Sequence, residues 1–149
     1  MVAHEVGRID VLVAALSPQA LLPQKAHSTD AGFDLAIPTN STIAPQAQEV
    51  INLEFAIQIP QGWYGQILGR SSVFRRGLMV HPGVIDADYR GGLQLLVVNQ
   101  LATEQVLKRG DRLAQLLFLP VPDVRLNEVA PEVLSRTARG PGGVGSTGR

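Results

Sequence analysis

Three separated stretches carry the residue types that anion chemistry needs. The first is Gly83-Val84-Ile85-Asp86-Ala87-Asp88-Tyr89-Arg90-Gly91. A carboxylate there could act as general base toward water beside an anionic substrate, with the water held in line with the phosphorus it attacks. If the run is extended, Asp86 and Asp88 fall on one face. The same residues also suit a polar hairpin tip whose aspartates cap turns beside glycine, with Tyr89 as a half-buried strand aromatic and His81 as an ordinary histidine. The second stretch, Gly69-Arg70-Ser71-Ser72, combines a glycine for close approach, exposed amides, two hydroxyls and a guanidinium, which together suit a phosphate cradle. A plain capped turn has the same composition. In the third, Arg139 supplies a bidentate donor, Gly140, Gly142, Gly143 and Gly145 free the backbone to wrap an anion, and Ser146 and Thr147 add hydroxyls. It is not a P-loop, since it lacks that motif's lysine and following helix. A flexible glycine-rich end is the alternative there.

Such residues need rigid elements to aim them, and the hydrophobic pattern points to strands. From Ile51 to Ile59 apolar side chains recur at every second position, the period of a half-buried strand. Short apolar runs at Ile9 to Leu16, Trp63 to Leu68, Leu93 to Val98 and Leu113 to Leu119 are bounded by Gly, Pro or Asn, which are turn signals. Fifteen glycines and ten prolines are spread along the chain, so many short elements with tight connections fit better than a few long helices. The expected class is all-β. Leu95-Leu96-Val97-Val98 reads as a strand buried on both faces, and a serine of Ser71-Ser72 is expected to cap a helical turn over 73–76 that Gly77 stops.

Other classes are excluded by composition. At 149 residues the chain has the size of one domain. Thirteen basic and thirteen acidic residues produce no overall field toward nucleic acid or an anionic membrane, so neither is an expected partner. There is no cysteine, and His4, His27 and His81 lack metal-ligand spacing. The first residues are too polar for a signal segment and every apolar run is interrupted, so the chain reads as a soluble, cytoplasmic protein. From Arg136 onward it is glycine-rich without an acidic residue. The expected organisation is a single β domain over 1–135 and a flexible tail over 136–149. No internal repeat is present.

Taken together and in order, five segments resemble the motifs of the trimeric deoxyuridine triphosphate nucleotidohydrolases, or dUTPases. They are Ala31-Gly32-Phe33-Asp34-Leu35, then Gly69-Arg70-Ser71-Ser72, then the run from Gly83 to Gly91 with Asn99 beyond it. Gly110-Asp111-Arg112-Leu113-Ala114-Gln115 and the stretch from Arg139 to Gly148 complete the set. The resemblance implies a distorted β jelly roll of the β-clip type, assembled as a homotrimer with active sites shared between subunits. It implies hydrolysis of dUTP to dUMP and pyrophosphate by water attack on the α-phosphate, which keeps uracil out of DNA and supplies dUMP for thymidylate synthesis.

The resemblance also assigns roles by position. Asp86 would deprotonate the water, and Tyr89 would pack on the deoxyribose, leaving no room for a 2′-hydroxyl. The backbone of the hairpin from Val80 through Gly83, Val84 and Ile85 would read the uracil edge, and Gln94 would also contact the substrate. Arg70, Ser71, Ser72 and Gln115 would hold phosphate oxygens. The tail would close as a lid, with Arg139, Gly145, Ser146 and Thr147 on the outer phosphates and Val144 over the base. Asp34 would act through water around a Mg²⁺ ion held mainly by the triphosphate.

Two rival readings are weaker. Leu78-Met79-Val80-His81 looks like a dCTP deaminase sequence, but the position matching that family's catalytic glutamate is Leu96, which cannot transfer a proton. A trimer that kept the fold and lost the chemistry would be expected to lack Asp86 or the lid, and both are present.

The family usually has an aromatic residue at the position of Val144, and its ring stacks on the uracil. Stacking of a base on an aromatic ring is worth roughly 1–3 kcal/mol. Val144→Phe is therefore expected to tighten nucleotide binding, read as a lower Michaelis constant; an unchanged or higher value would remove stacking from the account.

Overall fold

The computed structural model describes residues 7–143 and 148. Its strands are β1 (Leu12–Ala15), β2 (Phe33–Ala36), β3 (Ser41–Ile43), β4 (Gln48–Gln58), β5 (Trp63–Gly69), β6 (Leu78–Val80), β7 (Gly83–Ile85), β8 (Gly92–Asn99), β9 (Gln105–Leu107) and β10 (Arg112–Pro120). One short helix, α1 (Ser71–Arg75), and a 3-10 turn at Pro131–Val133 complete the described elements. The strands form two four-stranded sheets, ordered β1-β4-β8-β6 and β2-β10-β5-β7, and a small β3-β9 pair. All pairings are antiparallel. This is the all-β, jelly-roll-like architecture expected.

The strand period decides which side chains meet between the sheets. On β4 the alternation buries Ile51, Leu53, Phe55 and Ile57, and β8 opposes them with Leu93, Leu95 and Val97. The second sheet contributes Leu35, Ile67, Ile85, Leu113 and Leu116 to the same core. Contrary to expectation, β8 is fully buried on one face only. Leu96 and Val98 are half-buried, because the outer side of their sheet is left partly open. Asn99 ends the inward row as the one buried polar side chain among the described residues. Its amide donates to the carbonyls of Ile43, Ala44 and Thr103 at 3.2, 3.1 and 2.8 Å, and its oxygen accepts from Leu101 N–H at 3.0 Å. It thus satisfies loop backbone that would otherwise be buried unpaired.

Two local expectations are corrected. Arg70, not a serine, is the N-cap of α1. It is extended (φ −80°, ψ 142°), makes no side-chain cap bond, and offers its carbonyl to the N–H groups of Val73 and Phe74 at 3.0 and 3.2 Å. Its own N–H is tied to Leu113 O at 3.1 Å, so the strand hydrogen bonding persists one residue past β5 and pushes both serines into the first helical turn. Gly77 does terminate the helix, at φ 82°, a conformation glycine adopts without strain. Secondly, the stretch over 80–85 is not a hairpin. β6 pairs with β8 and β7 with β5, so the chain crosses from one sheet to the other through His81-Pro82.

The last strand ends at Pro120. Past Val121, whose N–H reaches Gly62 O at 2.8 Å, the described backbone makes only local hydrogen bonds. This segment carries Leu126 at 92% exposure and Leu134 at 68%. Among the described residues no helix is long and apolar enough to cross a membrane.

Candidate active site

β7 is the edge strand of its sheet, so its backbone is paired on one side only, with Gly65↔Ile85, Gln66↔Val84 and Ile67↔Gly83 in register with β5. An edge strand keeps donors and acceptors for a ligand. Between β7 and the start of β8 lies a cleft of about 220 Å³, lined by Gly83, Val84, Ile85 and Asp86 on one side, by Tyr89, Gly92, Leu93 and Gln94 on the other, and by Ile67. Six of the residues singled out from the sequence therefore meet: Gly83, Val84, Ile85, Asp86, Tyr89 and Gln94. Val80 does not line it; its side chain is buried on β6 in the other sheet.

The link from β7 to β8 is a tight turn. Tyr89 N–H bonds to Asp86 O at 3.1 Å, and the Arg90 guanidinium bridges Ala87 O at 2.7 Å and Tyr89 O at 3.0 Å. The turn separates the two carboxylates that an extended chain would have put on one face. Asp86 faces the cleft, whereas Asp88 lines a different recess with Gln58, Pro60 and Arg90. Tyr89 folds back over the link, its hydroxyl donating to Gly92 O at 3.0 Å. Glycine at 91 makes room for this ring position, because a Cβ there would stand 2.4 Å from the tyrosine oxygen and 2.6 Å from Cζ. Gln94 is steadied by the hydrogen bond that its Nε2 donates to Asn52 Oδ1 at 2.7 Å.

A second cluster forms where β2, β10 and the end of β5 come side by side. Asp34 stands opposite Gln115 in the β2–β10 register. Its carboxylate lies 3.7 Å from Arg70 Nε and 3.3 Å from Arg112 Nη1. Arg70 Nη1 also donates to Arg112 O at 3.3 Å. Ser71 and Ser72 are exposed just beyond, in the first turn of α1. Gly32 leaves room for Gln115, whose Oε1 a Cβ at 32 would approach to 2.9 Å. The group gathers two guanidiniums, a carboxamide and two hydroxyls around one carboxylate, a donor-rich surface suited to phosphate oxygens.

The two clusters share no lining residue. Arg139 belongs to neither; it is exposed on the tail, its Nε bonded to Gly142 O at 2.8 Å. Val144, Gly145, Ser146 and Thr147 lie outside the described residues. Four contributors were not singled out from sequence: Arg112, which lies inside the segment from Gly110 to Gln115, and Ile67, Gly92 and Leu93, whose place in the cleft follows only from strand pairing. Among the described residues no three His, Cys, Asp or Glu side chains gather as metal ligands. Asp34, partly exposed beside its guanidiniums, suits the outer sphere of an ion that arrives on phosphates, the manner in which Mg²⁺ is often bound.

A family model described as dUTPase matches residues 19–148. The chain is similar to the deoxyuridine 5′-triphosphate nucleotidohydrolase of Corynebacterium jeikeium, 40% identical over 141 residues, which cover 91% of each chain. It is 36% identical over 134 residues to the enzyme of that name from Candida albicans, covering 89% of this chain and 84% of that one. Among solved structures, Staphylococcus bacteriophage 80alpha dUTPase with dUPNHPP superposes with a TM-score of 0.87 at 28% identity, covering 94% of this chain and 99% of that one. A mutant dUTPase from phage phi11 of S. aureus, described for its structural Mg(II) ion, gives 0.77 at 28% identity over 81% and 97%.

The packing at 91 has a direct consequence. Gly91→Ala should turn the Tyr89 ring, which is 45% exposed, off the Gly92 carbonyl and destabilise the fold by about 0.5–1.5 kcal/mol, the scale of one lost hydrogen bond. Chemical denaturation would measure it, and a loss below about 0.5 kcal/mol, the scale of a neutral surface change, would show that the ring yields freely.

Proposed function

The chain belongs to the dUTPase family and hydrolyses dUTP to dUMP and pyrophosphate; from that premise we propose that Asp86 is the general base and that each active site is completed by neighbouring subunits of a homotrimer. The observation that carries the first part is the cleft itself. It sets the free edge of β7, the ring of Tyr89 and the carboxylate of Asp86 around one space of nucleoside character. In this reading the backbone over 83–85 meets the polar edge of uracil, Tyr89 packs against the deoxyribose, and Asp86 stands where the 5′-phosphate leaves the sugar.

Water held by Asp86 attacks the α-phosphorus. As the new O–P bond forms, the water proton passes to the Asp86 carboxylate and the bond from phosphorus to the bridging oxygen breaks, releasing pyrophosphate. Arg70, Arg112, Ser71, Ser72 and Gln115 bind the phosphate oxygens and hold phosphorus in line with the water; such positioning and electrostatics supply most of the catalysis in phosphoryl transfer. Asp34 would hold, through water, a Mg²⁺ ion arriving with the triphosphate, and that ion when bound would supply neutralisation of the charge on the leaving pyrophosphate. The tail over 136–149 closes as a lid, bringing Arg139, Ser146 and Thr147 to the outer phosphates and excluding bulk water. The reaction removes a precursor of uracil in DNA and supplies dUMP for thymidylate synthesis.

Subunit sharing is supported by the division of the chemistry. One cluster holds the base and sugar functions with Asp86, the other holds the phosphate donors, and they have no lining residue in common. Residues 121–143, outside every strand and with Leu126 and Leu134 bare, are the kind of apolar surface that a partner covers.

Two outcomes test this reading. Asp86→Asn should lower kcat on dUTP by about 10²–10⁴-fold, the usual share of a general base, while nucleotide binding persists; pyrophosphate release from dUTP, against dCTP, UTP and dTTP, is the measurement, and near-normal turnover would remove Asp86 from its role. Asp86→Asn and Arg70→Ala proteins, each inactive alone, should regain turnover when refolded together, because some mixed interfaces then hold both intact residues. Continued silence of the mixture, with trimers formed, would place the whole site within one chain.

A further inference from the structure

β8, the strand that begins just after Tyr89, pairs with β4 across an irregularity on β4. Between Asn52↔Gln94 and Ala56↔Gly92 the β4–β8 register shifts, so that four residue steps on β4 face two on β8. In the middle of this bulge Glu54 has φ 62°, a left-handed conformation that a residue with a side chain adopts under strain. Glycine would serve the backbone better. The glutamate has a use that glycine lacks: its carboxylate accepts a hydrogen bond from the Ser17 hydroxyl, and that hydroxyl in turn accepts from Gln19 N–H at 3.1 Å. The Glu54 carbonyl also accepts from Leu16 N–H at 2.8 Å.

The latched segment stands directly behind the wall. Leu16 Cδ1 would lie 3.2 Å from a Cβ on Gly92, and Gly92 is the residue whose carbonyl holds the Tyr89 hydroxyl at 3.0 Å. Leu16, Ser17 and Glu54 line a recess of about 490 Å³ whose other side is made by Tyr89, Gly92 and Gln94, residues that also line the candidate nucleoside cleft. A continuous path thus runs from the Ser17–Glu54 bond through the bulge and Leu16 to the Gly92 carbonyl and the tyrosine.

We propose that the Ser17–Glu54 latch is a positioning element that fixes the Tyr89 ring and thereby sharpens discrimination between deoxyribose and ribose nucleotides. The proposal rests on the reading of Tyr89 as the sugar wall. Glu54 acts through Tyr89 and does not touch substrate.

The chain contains two tyrosines, Tyr64 and Tyr89, so fluorotyrosine labelling yields one reporting signal and one control in fluorine NMR. Ser17→Ala and Glu54→Gly should shift or broaden the Tyr89 signal and leave that of Tyr64 in place, while Glu54→Gln, which keeps an acceptor for Ser17, should resemble the parent. Glu54→Gly suits the left-handed backbone and should fold; Ser17→Ala tests the same bond from the other side. In kinetics the ratio of kcat/KM for dUTP to that for UTP should fall about tenfold in both latch variants, within the range that changes in pocket fit produce. It should fall no further when either is combined with Tyr89→Phe, as expected of residues acting through one contact. An unmoved Tyr89 signal, or a loss of discrimination that adds fully to that of Tyr89→Phe, overturns the latch. The fluorine signal reads the latch without turnover, so failure of the parent protein to hydrolyse dUTP would count against the functional reading alone.

Discussion

Between Ile85 and Gly92 the chain leaves the edge of one sheet and enters the interior of the other, and this crossing shapes the site. A two-residue hairpin would have kept β7 and β8 in one sheet and closed the space between them. Here the link must change layers within six residues, so it bends sharply at 86–89 and spends its polar groups on itself: Tyr89 N–H on Asp86 O, the Arg90 guanidinium on two carbonyls, and the tyrosine hydroxyl on Gly92 O. The separation of the strands leaves the cleft, and the bend leaves Asp86 at its mouth. Gly91 leaves the space in which the tyrosine ring folds back, since a side chain there would meet the ring in this position.

The cluster around Asp34 obeys a different constraint. Two guanidiniums side by side repel, and Asp34 lies within 3.7 Å of one and 3.3 Å of the other. With side chains 21% to 51% exposed, these pairs are screened by solvent and add little to stability. Their value is orientation. Within the proposed reading, a carboxylate that gathers Arg70 and Arg112 before the triphosphate arrives would remove part of the ordering cost of binding. The residues reach this arrangement because β2 and β10 pair with Asp34 opposite Gln115, and because the strand bond from Arg70 N–H to Leu113 O keeps Arg70 at the sheet margin where α1 begins.

Much of this was legible in the sequence. The alternation over 51–59 marks β4, and the run from Leu113 to Leu119 lies within β10. The five ordered segments pointed to the family and to most residues of both clusters. What escaped depends on long-range pairing. Asp86 and Asp88 have the two-residue spacing of one strand face, and only the turn shows that they diverge. The burial of β8 looked symmetric because Leu95 to Val98 are all apolar, yet burial depends on whether something covers the outer face. Arg112 gave no local sign that it would meet a carboxylate 78 positions earlier. Glu54 gave none of its left-handed backbone, since a glutamate in an alternating run reads as an ordinary solvent-facing strand residue.

A scaffold that splits its chemistry between two surfaces ties activity to assembly. Within the shared-site reading, the cleft with Asp86 binds the nucleoside end and the guanidinium cluster binds the triphosphate end, so a lone subunit holds only part of the substrate. Nucleotide contacting two subunits then stabilises the interface by mass action, because it binds the assembled state better than the separated one. The exposed segment over 121–143 fits the same logic. Apolar side chains such as Leu126 and Leu134 gain little by folding onto their own β body, which ends at Pro120 with its core already closed, and gain much by lying on a neighbour.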